Sequence, residues 1–206
     1  MKQPRIAVLA SGKGSNLQAI LEAVRKGECP VEVALVLSDR AEAGALQIAR
    51  DAGVASVVAL DPKAYPDRAA FDMACGDAIE AVGCEWVVLA GYMRILSGAF
   101  IARFHNRIIN IHPSLLPSFI GAHAVRDALA YGVKVTGASV HLVNEVLDGG
   151  PILAQAVVPV HDDDSEEALH QRIHEAEHRL YPATISRMVR EGFAIEGRRV
   201  IWRRQN

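Results

Sequence analysis

The feature that most constrains the fold is a regular alternation of short apolar runs with helical patterns. Residues 5–10 (RIAVLA) are long enough for a buried strand, and a helical pattern follows from Leu17. Further strands are predicted at 31–38, 54–60, 84–89, 107–112, 133–143 and 152–160, helices at 41–51, 66–82, 97–104, 124–131 and 165–190, and a terminal hairpin at 193–203. Such alternation gives right-handed crossovers and a parallel sheet. We therefore predict an α/β protein with a parallel sheet.

Composition and charge argue against several kinds of protein. The chain has 206 residues, which suits one domain, and a formal net charge of −2, which disfavours a general binder of nucleic acid or anionic membranes. No apolar run is long enough for a transmembrane helix or a signal peptide, and the three cysteines form no CxxC motif. These features predict a cytoplasmic protein with reduced cysteines and no membrane partner. A terminal arginine cluster is interpreted as a solvated strand: Arg198, Arg199, Arg203 and Arg204.

A glycine-rich loop, Gly12-Lys13-Gly14-Ser15-Asn16, links the first strand to the first helix. Glycine lets the backbone approach a ligand closely, and the N–H groups at a helix start face bound anions. The loop lacks the third glycine of the dinucleotide motif, because Leu17 occupies that position, and it is not a Walker loop. The residues alone are compatible with a site for a single phosphate or with a capped tight turn.

The stretch Arg107–Pro117 (RIINIHPSLLP) places two polar side chains at the end of a predicted strand. Because side chains alternate along a strand, Asn110 and His112 project to the same side. Pro113 and Pro117 then prevent further strand pairing. Ligands bind at the carboxyl edge of open α/β sheets, so the pair is either catalytic or a cap for the following turn. The segment 117–121 is predicted to be a mobile flap beside the site.

Two later segments contain further candidates. Asp148 precedes Gly149-Gly150-Pro151 and therefore lies in a tight turn, which by default such an aspartate only stabilises. Ser139 and His141 lie on one face of the preceding predicted strand. The apolar loop 90–96 either lines a slot for a flat ring or covers the end of the core.

The long helix contains a motif that resembles a zinc site. His174-Glu175-Ala176-Glu177-His178 matches HExxH, and His170 lies one turn earlier. Charged neighbours disfavour a metalloprotease, and the outer two of three histidines in line are about 12 Å apart, too far for one tetrahedral ion. We therefore predict no metal site.

Five motifs together resemble the glycinamide ribonucleotide formyltransferase family, folate-dependent enzymes of purine biosynthesis. They occur in the order GKGSN, AGYMRIL, NIHPSLLP, ASVHLV and LDGGPI, and the resemblance covers nearly the whole chain. Many relatives have a proline where this chain has Ile120 and a threonine where it has Ala138. The first departure bears on the stiffness of the flap and leaves the chemistry unchanged.

The resemblance implies an α/β fold with a doubly wound, mostly parallel, Rossmann-like sheet and helices on both faces. It also implies transfer of a formyl group from 10-formyltetrahydrofolate, the co-substrate, to the amine of glycinamide ribonucleotide. It implies one formyltransferase domain over 1–206, with a phosphate-binding half (1–90) and a folate-binding, catalytic half (91–206). The oligomeric state is left open, a homodimer included. The residues that match the catalytic group of the family are Asn110, His112 and Asp148. Those that match its phosphate and ribose site are Gly14, Ser15, Asn16, His174, Glu175, Ala176 and Glu177. Those that match its folate site are Arg68, Met93, Arg94, Ile95, Leu96, Asn110, Asn144, Glu145, Val146, Leu147 and Asp148.

The chemistry of formyl transfer agrees with these residue types. The reaction passes through a tetrahedral oxyanion, which an Asn110 N–H and a protonated His112 can stabilise. His112 and Asp148 are suited to relay a proton through water, and Ser139 and His141 either order that water or are structural. Three alternatives remain open: a 10-formyltetrahydrofolate hydrolase, a formyltransferase acting on methionyl-tRNA, and a nucleotide-binding module without catalysis.

Overall fold

The computed structural model describes residues 3–203, so Arg204 of the arginine cluster lies outside the described part. The strands are β1 (Arg5–Leu9), β2 (Glu32–Ser38), β3 (Ser56–Ala59), β4 (Trp86–Leu89), β5 (Ile108–His112), β6 (Val135–Leu142), β7 (Ile152–Pro159), β8 (Phe193–Glu196) and β9 (Arg199–Trp202). The helices are α1 (Ser15–Arg25), α2 (Gly44–Asp51), α3 (Arg68–Ala81), α4 (Gly98–Arg103), α5 (Ala124–Tyr131) and α6 (Glu166–Glu191), with a short 3₁₀ helix at Pro62–Ala64.

Within residues 3–203 the strands form a seven-stranded sheet in the order β3-β2-β1-β4-β5-β6-β7 and a separate β8-β9 hairpin. Strands β1, β2, β3 and β4 pair in parallel, whereas β6 and β7 are antiparallel. The predicted α/β fold with a mostly parallel sheet is confirmed. Contacts along the chain define two compact units, one ending at Ile109 and the other beginning at Asn110. The assignment of residues 1–206 to one catalytic domain stays a prediction.

In the first unit, the strand order reverses beside β1, whose neighbours are β2 and β4. Loops that leave the carboxyl ends of strands at such a reversal form the usual ligand-binding crevice of α/β sheets. The loops after β1 and β4 meet here, since the Ser11 N–H donates to the Gly91 carbonyl at 3.0 Å and the Ser11 Oγ accepts from the Met93 N–H at 2.9 Å. The predicted phosphate loop and the predicted folate loop are therefore neighbours in this unit.

In the second unit, α5 and α6 cover the β6–β7 pair. Their shared apolar core consists of Val125, Ala138, Val158, Leu169, Ile173 and Ala176. Helix α6 begins as predicted, because the Ser165 Oγ accepts the Ala168 N–H at 3.1 Å and Glu166 and Glu167 occupy the first turn. The two strands shift register between Val140 and His141, and such irregularities re-aim side chains beside functional sites.

Two findings bear on the predicted surroundings of the protein. Cys29, Cys75 and Cys84 are free and buried, and burial raises the pKa of the Cys75 thiol to about 12 and that of Cys84 to about 11. They therefore pack as small apolar side chains. Within residues 3–203 every helix is too short or too polar to cross a bilayer.

Candidate active site

Strand β5 brings its two polar side chains into one cluster with Asp148 and His141, all in the second unit. The His112 Nδ1 lies 3.6 Å from the Asp148 Oδ2, and the His141 Nε2 lies 3.8 Å from the Asp148 Oδ1. The Asn110 Nδ2 lies 3.2 Å from the His141 Nε2. The prediction that Asn110 and His112 project to the same side is confirmed, and Asp148, from a distant part of the chain, lies near the rings of His112 and His141.

The His112 ring is buried, yet both of its nitrogens face polar groups. Its Nε2 lies 2.8 Å from the Phe119 carbonyl oxygen, which can only accept, so Nε2 carries a proton. Its Nδ1 faces Asp148 across a distance longer than a hydrogen bond. Only 6% of the His112 side chain and 8% of the Asp148 side chain are exposed. A charged pair in such surroundings interacts more strongly than one in water.

Asp148 has an unusual backbone conformation, and a backbone amide of the 117–121 segment binds its carboxylate. Its φ of 50° is in the left-handed region, which a residue other than glycine adopts only at some cost. The Gly121 N–H donates to its Oδ2 at 2.8 Å. The segment 117–121 therefore contacts both members of the pair, through the Phe119 carbonyl and the Gly121 amide. Whether this segment is mobile stays a prediction.

His141 fixes the orientation of the Asn110 carboxamide. The His141 Nδ1 donates to the Leu142 carbonyl at 2.9 Å, which leaves Nε2 as the acceptor for one Asn110 N–H. Burial lowers the pKa of His141, opposed by the hydrogen bond to Leu142 and by the charge of Asp148. A neutral His141 is the form this hydrogen bond requires, and the second Asn110 N–H remains for a ligand.

Ser139 has a structural role. Its hydroxyl donates to the Ser114 carbonyl at 2.6 Å and accepts from the Leu116 N–H at 3.0 Å and from the Gln155 Nε2 at 2.9 Å. A serine hydroxyl has one donor and two acceptor positions, and all three are occupied. It has no position left to order a water, and it instead secures the turn that follows β5.

The predicted phosphate loop begins α1 two residues earlier than its sequence pattern indicates. Gly14 is the N-terminal cap, with a φ of 86°, so Ser15 and Asn16 occupy the first turn of the helix. A Cβ on Gly14 would lie 2.7 Å from the Ala45 Cα, so this position accepts only glycine. The N-cap residue makes no side-chain hydrogen bond to the start of α1.

The predicted folate residues of the first unit differ in exposure. Met93 and Ile95 are exposed, as a binding surface requires, whereas Leu96 is buried in the core. The Arg94 guanidinium lies 4.7 Å from the centre of the Phe71 ring. Arg68 is exposed and is the first residue of α3.

The predicted ribose residues lie on different sides of α6. Glu177 is buried, with its Oε2 3.9 Å from the His174 Nε2, and Ala176 is also buried. Glu175 is exposed and belongs to another face of the helix. The three histidines of this helix stack along one side, and within residues 3–203 no group of three His, Cys, Asp or Glu side chains has the arrangement of a metal site.

Sequence reasoning missed the groups that contact His112 and Asp148 and the residue that supports the turn after β5. The Phe119 carbonyl and the Gly121 amide are backbone atoms, so no residue type reveals them. Gln155, which also donates to the Leu116 carbonyl at 3.0 Å, lies far along the chain from the turn that it supports. Gln155 is a polar residue in the otherwise apolar strand β7, and this pattern was the signal in the sequence that could have indicated its role.

Comparison with known proteins agrees with this fold. The formyl transferase family model matches residues 4–185. A phosphoribosylglycinamide formyltransferase of Mycobacterium tuberculosis (strain ATCC 25618 / H37Rv) is 48% identical over 194 residues, which covers 94% of this chain and 89% of that protein. One from Escherichia coli (strain K12) is 45% identical over 181 residues, covering 88% of this chain and 85% of that protein. The crystal structure of glycinamide ribonucleotide transformylase 1 from Symbiobacterium toebii has a TM-score of 0.95 and 50% identity, covering 98% of this chain and 95% of that one.

The chain belongs to the formyl transferase family. The family resemblance that the five motifs indicated is confirmed, over most of the chain. The relatives just described are named for formyl transfer to phosphoribosylglycinamide.

Proposed function

We propose that this protein transfers the formyl group of 10-formyltetrahydrofolate to the amine of glycinamide ribonucleotide, a step of purine biosynthesis. The observation that carries the proposal is the buried His112–Asp148 pair, 3.6 Å apart, beside an Asn110 whose amide is fixed by His141. Family membership and the names of close relatives support the choice of substrates.

The amine nitrogen attacks the formyl carbon, and the carbonyl electrons move to oxygen. The second Asn110 N–H and the protonated His112 ring stabilise this oxyanion. The amine then loses a proton, the bond from carbon to folate N10 breaks, and N10 gains a proton. The proton that N10 gains comes from His112, and the products are the N-formyl amide and tetrahydrofolate.

Asp148 acts as the proton acceptor, directly or through a water. The Gly121 N–H donates to its Oδ2 and so holds the carboxylate in place. The proton on the His112 Nε2 is donated to the Phe119 carbonyl, so it reaches substrate only when the flap segment moves that carbonyl away. Opening of the flap is thereby coupled to the availability of the acid.

We propose that the glycine-rich start of α1 binds the phosphate and that Glu177 with His174 binds the ribose. Met93, Arg94 and Ile95 would contact the folate together with the loop Asn144–Asp148. Free, buried cysteines support a reducing compartment, the cytoplasm.

The test is the change in absorbance when 10-formyltetrahydrofolate loses its formyl group in the presence of glycinamide ribonucleotide. His112→Ala is expected to reduce turnover to less than about a tenth, because it removes the general acid and an oxyanion donor. The exposed His161 provides a matched control, and His161→Ala should leave turnover unchanged.

Two other outcomes would point elsewhere. Deformylation without the amine substrate would identify a hydrolase. Binding of the ribonucleotide with no turnover by the unmodified protein would indicate a nucleotide-binding module.

A further inference from the structure

The loop that carries Asp148 is closed by hydrogen bonds within it. The Asn144 Oδ1 accepts the Val146 N–H at 3.0 Å, and the Val146 carbonyl accepts the Gly149 N–H at 2.9 Å. Packing around Gly149 is tight, since a Cβ there would lie 2.5 Å from the Val146 Cγ1. These contacts close the loop, but all of them come from the loop itself.

Besides the bond from the Gly121 N–H to the Asp148 carboxylate, a second contact attaches this loop to another element of the same unit. The Arg198 Nη1 donates to the Gly149 carbonyl at 2.8 Å, and the Asn144 Nδ2 lies 3.5 Å from the same oxygen. Arg198 lies in the turn between β8 and β9, directly after Gly197, which has a φ of 61°. The C-terminal hairpin therefore contacts the chain one residue after the proposed catalytic acid.

We propose that Arg198 is a positioning residue for Asp148. The Gly149 N–H, in the peptide unit that joins Asp148 to Gly149, is bonded within the loop. Arg198 holds the next peptide unit through a bond to the Gly149 carbonyl that is shorter than the 3.5 Å contact from Asn144. Movement of this second unit would reach Asp148 through the Gly149 Cα. The inference rests on the catalytic role of Asp148 given under the proposed function.

The backbone of Asp148 makes this attachment necessary. A left-handed conformation is unfavourable in a residue other than glycine, so relaxed conformations of the loop are close in free energy. Release of the Gly149 carbonyl would increase their population. Because displacement of a reacting group by about 1 Å can reduce a rate by up to about 100-fold, a small shift of the carboxylate affects turnover.

The test compares Arg198→Ala and Arg198→Lys with Arg199→Ala, a neighbouring exposed arginine on the same hairpin. For each variant kcat, both KM values, the pH dependence of kcat and the midpoint of thermal unfolding are measured. Arg198→Ala should lower kcat about three- to tenfold, with an unchanged unfolding midpoint and a displaced pH profile. Arg198→Lys, which keeps a donor, should recover part of the loss, and Arg199→Ala should equal the unmodified protein.

The proposal is overturned if Arg198→Ala and Arg199→Ala have the same kcat. It is also overturned if the loss in Arg198→Ala follows a lower unfolding midpoint, since that result indicates a structural role only. A failure of the proposed function has another signature, namely an unmodified protein that does not transfer the formyl group or a His112→Ala variant that still does.

Discussion

The loop before α1 and the loop before β7 each contain a residue with a positive φ, but a different kind of chemical group acts in each proposed site. In the first, Gly14 adopts a φ of 86°, and we propose that the backbone at the helix start binds the phosphate. In the second, a φ of 50° falls on Asp148 itself, and the carboxylate is presented. Glycines are next to Asp148 because their neighbours approach too closely for a side chain: a Cβ on Gly150 would lie 1.7 Å from the Leu142 carbonyl oxygen.

This difference shows how each loop obtains its function. Where the backbone binds, glycine takes the left-handed conformation at little cost. Where a side chain acts, the residue that carries it cannot be glycine, so its left-handed conformation is unfavourable. Contacts with the surrounding structure must then stabilise that conformation. The second loop is therefore more dependent on the rest of its unit than the first.

The largest expected effect is that of Asp148→Asn. Asparagine tolerates left-handed backbone and has nearly the same shape, so the loop should keep its conformation and lose only the charge. We expect kcat to fall by about 10²–10⁴-fold, with little change in the free energy of unfolding, because general-base catalysis typically contributes that much. Steady-state kinetics and denaturant unfolding measure the two quantities. Turnover above about a tenth of the original would show that the carboxylate is not the proton acceptor.

A smaller effect is expected for Gly14→Ala, with Gly27→Ala as its control. Both glycines have a positive φ, 86° and 75°, but a Cβ on Gly27 would meet nothing within 4 Å, whereas one on Gly14 would collide with Ala45. Gly27→Ala should lower the free energy of unfolding by about 1 kcal/mol and Gly14→Ala by about 2–4 kcal/mol.

Gly14→Ala should also raise the KM for glycinamide ribonucleotide, because the helix start is displaced. The variants are compared by urea unfolding and by kinetics at varied ribonucleotide concentration. Equal stability losses in the two variants would mean that the close packing against Ala45 is not what requires glycine.

The smallest expected effect is a dependence of the free energy of unfolding on pH, which arises from His141. Burial lowers the pKa of His141 below its ordinary value of 6.5, so between the two values the unfolded chain binds more protons than the folded one. The stabilisation by neutral His141 is complete above pH 6.5 and is lost as the pH falls below that value. The slope from one such group is at most about 1.4 kcal/mol per pH unit.

The measurement is urea unfolding between pH 5 and pH 7.5. His141→Gln should have a shallower slope than the unmodified protein, whereas His123→Gln, at an exposed histidine, should have the same slope. A steeper slope for His141→Gln would contradict a neutral, buried His141.

Much of the fold followed from local pattern. The apolar run of β1, the capping serine of α6 and the glycine in the turn of the last hairpin each specify their element through neighbouring residues. The helix α1 begins two residues before the predicted start. Gly14, in a left-handed conformation, lets the helix begin directly after it, and hydrophobic periodicity does not reveal this conformation. The residue types Asn110, His112 and Asp148 were selected from strand position, turn chemistry and family resemblance.

By itself, the sequence determined the order of strands and helices, the residues able to bear the chemistry and the family. Only the tertiary structure decided that the flap backbone contacts both His112 and Asp148, that the Ser139 hydroxyl is fully occupied, and that Arg198 reaches the Gly149 carbonyl. The physical reason is that periodicity and turn propensity depend on residues a few positions apart. Contacts of backbone carbonyls and amides with distant side chains depend on how the elements pack, and any residue type supplies such a group.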